Sequence, residues 1–213
     1  IVPDQIGFCK SSKPSNYAYS FTELANNTHA LLASLKIKKA TVIGHSMGGM
    51  LATRYALMFP NEVTQLVMVN PIALNDSDKG RAWNQPTGGA AEPDLQAHYE
   101  SNLRLEQGRI VNWKPEYMEH VRIRYGQALS SEFHRLNLVR AMNSGLTAQP
   151  VDTYWPKINT PALLIGGAQD GPNYPETARR AVDLLPNGEL IMLPDAGHNP
   201  HVEIPDELNR EIL

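Results

Sequence analysis

The chain has 213 residues, enough for one or two domains, and 42% of them are apolar, which is enough for a sizeable core. Its formal net charge of −3 argues against nucleic acid or an anionic membrane surface as a partner. No apolar stretch reaches the length of a membrane span, and a single cysteine permits no intrachain disulfide, so cysteine usage assigns no compartment.

The first third of the chain alternates predicted strands and helices. Ile1 and Val2 have the character of a strand end that leads into a loop rich in turn-forming residues. A helix is predicted from Ser20, whose hydroxyl is placed to cap it, with Glu23 in the capping-box position. The next predicted elements are a strand over residues 40–43, a helix that ends before Pro60, and a strand over Val63–Val69.

The middle of the chain has a different character. Residues 75–89 are polar and loop-like, and no clear strand follows them. Three helical stretches are predicted instead, at about residues 93–107, 115–129 and 132–142. An all-helical insertion between two sheet strands is typical of a cap, or lid. We therefore predict a lid over residues 72–157, inserted in a core formed by residues 1–71 and 158–213.

The alternation of strand and helix resumes after residue 160. The predicted elements are a strand over residues 161–167, a helix over 176–185, a strand over 189–193 and a helix from about residue 205. This alternation is typical of α/β proteins with a parallel sheet, so we predict that fold class.

Residues 44–49, with the sequence GHSMGG, lie between a predicted strand and a predicted helix. A serine at such a tight turn adopts a strained backbone conformation, and Gly44 and Gly48 are expected to relieve the clashes around it. The helix begins at once, so its free N–H groups, led by that of Met47, point to where a negative oxygen would form. This pattern predicts that Ser46 is a nucleophile.

Two further loops carry side chains that could activate this serine. A serine hydroxyl needs an adjacent base, and the base needs a carboxylate that orients it. Because parallel strands end on one side of a sheet, the loops that follow them converge there. These loops contain Ser46, Asp170 and His198, in the chain order expected for a site of this kind.

The acid and the base each have alternatives in the sequence. Asp76 is a weaker candidate for the acid, and Asn70, at the other usual position after a strand, is an amide that cannot stabilise an imidazolium by charge. His45 is the nearest alternative base, but it precedes the serine directly, and its side chain is expected to point away from the hydroxyl.

These motifs resemble the α/β-hydrolase family, in its lidded branch that acts on small molecules. The matching segments span almost the whole chain and comprise residues 3–11, 44–49, 164–170 and 197–198. The resemblance implies a parallel sheet flanked by helices, with a helical cap inserted between sheet strands. It also implies that Ser46 is the nucleophile, His198 the base and Asp170 the acid, with the Met47 N–H as one donor of the oxyanion hole. No cofactor is implied, and no residue set has metal-ligand spacing.

The chain departs from the family pattern at two places. The family usually has glycine where Cys9 stands, and a cysteine is tolerated there if its φ stays negative. The family also carries a strand and a His-Gly-type loop upstream of the position of Ile1, and that loop supplies the second oxyanion-hole donor. We therefore expect that the N-terminal strands are missing and that the 213 residues are part of a longer protein.

The leading functional hypothesis is a serine hydrolase that cleaves a small ester or related acyl compound through an acyl-enzyme. Serine at position 46, in the turn between strand and helix called the nucleophile elbow, argues against haloalkane dehalogenases and epoxide hydrolases, which resemble this fold but place aspartate there. Carbon–carbon bond hydrolysis or cofactor-free perhydrolysis on the same triad is an alternative, and a non-catalytic homologue that binds a small ligand is another. Within the predicted lid, we expect Trp113, Tyr117 and Met142 to contribute walls of the substrate pocket.

Overall fold

The computed structural model describes residues 1–14, 16–72, 74, 94–130, 132 and 152–213. The strands in this part of the chain are β1 (Ala40–His45), β2 (Val63–Val69), β3 (Ala162–Gly167) and β4 (Gly188–Leu193). The α-helices are α1 (Phe21–Ser34), α2 (Met47–Met58), α3 (Leu95–Gln107), α4 (Met118–Ala128), α5 (Tyr174–Val182), α6 (Pro200–Glu203) and α7 (Pro205–Ile212). Short 3₁₀ helices span Pro115–Tyr117 and Asp152–Lys157.

The four strands form one parallel sheet in the order β1-β2-β3-β4. Parallel neighbours need a long connection, which α2 provides between β1 and β2 and α5 provides between β3 and β4. All six residues of β3 are buried, as expected for a strand covered on both faces. The predicted fold class, a parallel α/β sheet flanked by helices, is confirmed.

The core lies on both faces of this sheet. Leu66 and Met68 of β2 pack in a cluster that includes apolar residues of α1, α2 and α5. Val67 and Val69 point to the opposite face and belong to a second cluster, which includes Leu208 of α7. This alternation follows the two-residue period of a strand. Because all four strands are parallel, their carboxyl ends lie at one edge of the sheet.

Most predicted elements occur near their predicted positions. The Ser20 hydroxyl accepts a hydrogen bond from the Glu23 N–H at 3.1 Å, which confirms the predicted start of α1. The elbow strand extends two residues further than predicted, to His45, because its pairing with β2 continues to Val69. The strand end predicted at Ile1 is wrong, since no described residue pairs with this exposed segment.

The predicted lid is described in part. Its first two predicted helices correspond to α3 and α4, the second preceded by a 3₁₀ turn, while the helix predicted at 132–142 falls outside the described residues apart from position 132. The division into core and lid stays a prediction. In the part of the chain that the structure describes, no helix is both long enough and apolar enough to cross a membrane.

Cys9 adopts a backbone conformation that was not expected. Its φ is 42°, in the left-handed region that favours glycine, so the condition of a negative φ is not met. A non-glycine residue pays roughly 1–2 kcal/mol in this region because its Cβ approaches the backbone. The thiol is exposed.

Candidate active site

The turn between β1 and α2 holds Ser46 in a strained conformation. Its φ of 55° and ψ of −120° are rare for a residue with a side chain. The Ser46 N–H donates to the Val69 carbonyl oxygen at 2.9 Å, which ties the turn to the neighbouring strand. The pattern GHSMGG predicts the strained serine, and the structure adds that the sheet holds it.

Of the two glycines expected to relieve clashes around Ser46, the structure requires one and leaves open space at the other. A Cβ on Gly44 would lie 2.1 Å from the carbonyl oxygen of Gly48, so glycine is required at position 44, as predicted. The prediction that Gly48 also relieves a clash is wrong, because a Cβ there would meet no atom within 4 Å. Gly49 is the second constrained position, since its Cβ would lie 2.8 Å from the Cβ of Pro71. The crowding at Gly49 comes from Pro71, in the segment after β2, and the motif GHSMGG by itself does not reveal it.

The structure brings Ser46, His198 and Asp170 into one hydrogen-bonded chain. His198 Nε2 lies 2.9 Å from Ser46 Oγ, and His198 Nδ1 lies 2.8 Å from Asp170 Oδ2. A carboxylate only accepts hydrogen bonds, so Nδ1 carries the proton and Nε2 accepts from the serine hydroxyl. His198 is 7% exposed, and the Asp170 side chain is 15% exposed, so both side chains are mostly buried. The arrangement can transfer a proton from the hydroxyl to the imidazole.

Asn70, which the sequence suggested only as an unsuitable acid, hydrogen-bonds to Asp170 and to the loop that carries His198. Its side-chain Nδ2 donates to Asp170 Oδ2 at 2.8 Å and to the Gly197 carbonyl oxygen at 3.3 Å. Its Oδ1 accepts from the Gly167 N–H at 3.1 Å. Asn70 is completely buried and has a φ of 42°, a region that asparagine tolerates better than most residues. In the sequence, the one indication that Asn70 belongs to the site is its position directly after a predicted strand.

His45 holds the backbone of His198 and lies away from the hydroxyl. Its Nε2 donates to the His198 carbonyl oxygen at 2.7 Å, and its ring centroid lies 4.5 Å from that of His201. Burial lowers the pKa of His45 from 6.5 to about 4, partly offset by that hydrogen bond. His45 is therefore neutral near pH 7. His201 is exposed at the edge of the site, and partial loss of solvent together with neighbouring histidines lowers its pKa.

Met47 is the first residue of α2, directly after the serine. Its N–H is one of the four that an α-helix leaves without an intrahelical acceptor, and the helix dipole adds positive potential at the same end. The predicted role of this N–H in an oxyanion hole is compatible with that position and stays a prediction.

Two cavities lie near the strand ends. One, of about 330 Å³, is lined by residues that include Asp170, His198, Ile72, Leu74 and Tyr174. Burial, with a contribution from the charge of Asp170, raises the pKa of the Tyr174 phenol above its ordinary value. The second cavity, of about 200 Å³, is mostly apolar and is lined by residues that include Phe8, Phe21, Leu24, Met47 and Leu51.

Trp113 and Tyr117, two of the three residues predicted to form pocket walls, contact each other. The rings of Trp113 and Tyr117 meet edge to face with their centroids 5.9 Å apart, and neither residue lines the two cavities. Met142 falls outside the described residues. The substrate-binding role of all three stays a prediction. Within the described ranges, no cluster of three or more His, Cys, Asp or Glu side chains is placed to hold a metal ion.

The sequence profile of the α/β hydrolase fold family matches residues 1–205, so the chain belongs to this family. A probable hydrolytic enzyme from Pseudomonas aeruginosa has a similar solved structure, with a TM-score of 0.83 and 34% identity over 98% of this chain and 73% of that one. Lipase 3 from Moraxella sp. is 27% identical over 95% of the chain, and lipase 1 from Psychrobacter immobilis is 26% identical over 97%.

The chain spans 64% of the length of the Moraxella lipase and 65% of the Psychrobacter lipase. Family membership and these hydrolytic relatives support an enzyme of the hydrolase class.

Proposed function

We propose that the chain carries the catalytic residues of a serine hydrolase that cleaves a small ester or a related acyl compound. The observation that supports this most directly is the hydrogen-bonded chain from Ser46 through His198 to Asp170, with both bonds below 3 Å. A serine is a weak nucleophile at neutral pH, and an imidazole that accepts its proton while a carboxylate stabilises the resulting cation removes that obstacle.

The first half of the reaction forms an acyl-enzyme. Ser46 Oγ attacks the substrate carbonyl while His198 Nε2 takes the hydroxyl proton, and Asp170 stabilises the imidazolium. The oxygen that becomes negative faces the N-terminus of α2, where the Met47 N–H is free to donate. His198 then gives its proton to the departing alcohol, and the C–O bond to the leaving group breaks.

The second half releases the acid. His198 Nε2 accepts a proton from a water molecule, which attacks the acyl carbonyl, and the proton then returns to Ser46 Oγ as the ester bond to the enzyme breaks. The burial of His198 and of Asp170 keeps their hydrogen bond strong during both halves, because little water competes for it.

Labelling with a fluorophosphonate probe and hydrolysis of p-nitrophenyl acetate and butyrate test the proposal. Wild type should react in both assays, and Ser46→Ala should lose labelling and retain at most about 1/10⁴ of the turnover. Ser101→Ala is a matched control, because Ser101 is exposed on α3. Ester turnover that survives in Ser46→Ala would remove this mechanism.

The same assays separate the alternatives. Labelling at Ser46 without turnover of either ester would favour carbon–carbon bond cleavage or perhydrolysis on the same triad. An absence of both labelling and turnover in the folded wild type would favour a homologue that binds a small ligand without catalysis.

A further inference from the structure

Glu203 joins two segments of the chain that meet beside His198. It is the last residue of α6, five positions after His198. Its Oε1 accepts from the Gly197 N–H at 2.9 Å, and its Oε2 accepts from the Val111 N–H at 2.7 Å. Hydrogen bonds to an ionised carboxylate at these distances are about twice as strong as neutral ones. One side chain therefore fixes the residue before His198 to the segment that follows α3.

That segment also contacts His198 directly. The His198 N–H donates to the carbonyl oxygen of Arg109 at 2.9 Å. The approach is so close at the preceding residue that a Cβ on Gly197 would lie 2.7 Å from the Arg109 carbonyl oxygen and 3.3 Å from Glu203 Oε1. Residues 194–199, between β4 and α6, form the His198 loop. Gly197 is required because residues 109–111 and Glu203 lie so close to this loop.

Residues 109–111 are themselves anchored. The Glu106 side chain, which is 5% exposed, pairs with Arg109 at 3.3 Å and with Arg124 of α4 at 2.9 Å. A buried carboxylate shared by two guanidinium groups restrains the end of α3 relative to α4, because separating them would leave a charge without a partner. The carboxylate of Glu203 therefore connects the His198 loop to a fixed element rather than to a free loop.

The N–H groups of Gly197 and Val111 together require a carboxylate at position 203. A carboxylate offers two acceptor oxygens and no donor, so it can serve both N–H groups at once. Glutamine has the same size, but its NH₂ group would face one of the two N–H donors, and that donor would lose its partner. Substitution by glutamine thus perturbs the contact with little change in packing.

We propose that Glu203 is a positioning residue that holds His198 in register with Ser46 by fixing the His198 loop to residues 109–111. The inference rests on the proposed function, since Glu203 acts only through His198. The Ser46–His198 bond is 2.9 Å long, and a displacement of the loop by a fraction of an ångström lengthens it directly. A misplacement of about 1 Å at a reacting group can cost about 100-fold in rate.

The test measures turnover for each competent active site. Wild type, Glu203→Gln and the control Glu211→Gln, whose site is exposed on α7, are titrated to the endpoint with a fluorophosphonate, and kcat and KM for p-nitrophenyl acetate are divided by the titrated sites. Glu203→Gln should lower kcat per site by about 10- to 100-fold and leave KM within about threefold. Glu211→Gln should match wild type.

A purely structural role would give a different result. If Glu203→Gln lowers only the fraction of titratable sites or the melting temperature, and kcat per site equals that of wild type, the inference is overturned. A change confined to KM overturns it as well. If Glu203→Gln yields no soluble protein, Glu203→Asp replaces it, because the shorter carboxylate reaches only one of the two donors well, and an unchanged kcat per site again overturns the inference.

Failure of the proposed function can be told apart from failure of this inference. A folded wild type that neither labels nor turns over ester overturns the proposed function and this inference together. An active wild type with an unchanged Glu203→Gln overturns the inference alone.

Discussion

His45 couples the stability of the folded chain to pH. Burial holds the pKa of its imidazole at about 4, against 6.5 for the exposed group, and the neighbouring His201, His198 and Arg109 contribute in the same direction. Below pH 6.5 the unfolded chain binds a proton at this position that the folded chain does not bind until about pH 4. The free energy of unfolding therefore falls as the pH decreases from 6.5 towards 4.

The magnitude follows from the two pKa values. A difference of one pKa unit between the folded and the unfolded chain corresponds to about 1.4 kcal/mol. The free energy of unfolding therefore falls by about 3 kcal/mol in all, and about 2 kcal/mol of this loss occurs between pH 7 and pH 5. His45→Gln removes the titration but keeps an N–H that can donate to the His198 carbonyl oxygen. His45→Leu removes the donor as well, and it should be less stable than His45→Gln at pH 7 by about 1 kcal/mol.

Urea denaturation of the three proteins at pH 7, 6 and 5 measures these differences. We expect wild type to lose about 2 kcal/mol more than His45→Gln between pH 7 and pH 5, while the denaturant slope stays constant. Parallel pH dependences for wild type and both variants would refute the reasoning, because His45 would then titrate alike in the folded and unfolded chain.

Three other substitutions test the structure. Gly44→Ala should abolish soluble folded protein or destabilise it by more than about 3 kcal/mol, measured by thermal melting, because its Cβ would lie 2.1 Å from a backbone oxygen. Asn70→Ala should cost about 1–3 kcal/mol for the buried Gly167 N–H that it leaves without an acceptor, and it should also lower kcat, because the donor to the acid is lost. Cys9→Gly should raise the free energy of unfolding by about 1 kcal/mol, because its φ of 42° no longer strains a side chain.

Each of these three predictions can be contradicted by a specific result. Wild-type stability in Gly44→Ala would mean that the turn relaxes without cost. Unchanged kcat in Asn70→Ala would show that Asp170 is oriented without the amide. A less stable Cys9→Gly would mean that the flexibility gained by the unfolded chain outweighs the strain removed from the folded one.

Local sequence patterns were enough to predict which segments are strands and which are helices. Short apolar runs with small or polar residues at their ends predict buried parallel strands, and Val63–Val69 is a strand over the predicted residues. The capping box at Ser20 predicts the start of α1, because the hydroxyl and the N–H that it satisfies are three residues apart. The strand end predicted at Ile1 was wrong because a strand forms only beside a partner strand, and a local pattern does not show whether a partner is present.

The sequence by itself determined the turn at Ser46 and the order of Ser46, Asp170 and His198, because each lies in a segment that follows a strand of a parallel sheet, and such strands end on one side. Only the tertiary structure decided what holds these residues in place. The supporting contacts join Asn70 to Gly197, Val111 to Glu203 and His45 to His198, across 127, 92 and 153 positions respectively. A hydrogen bond depends on distances of a few tenths of an ångström between such loops, and those distances are set by how the helices pack on the sheet.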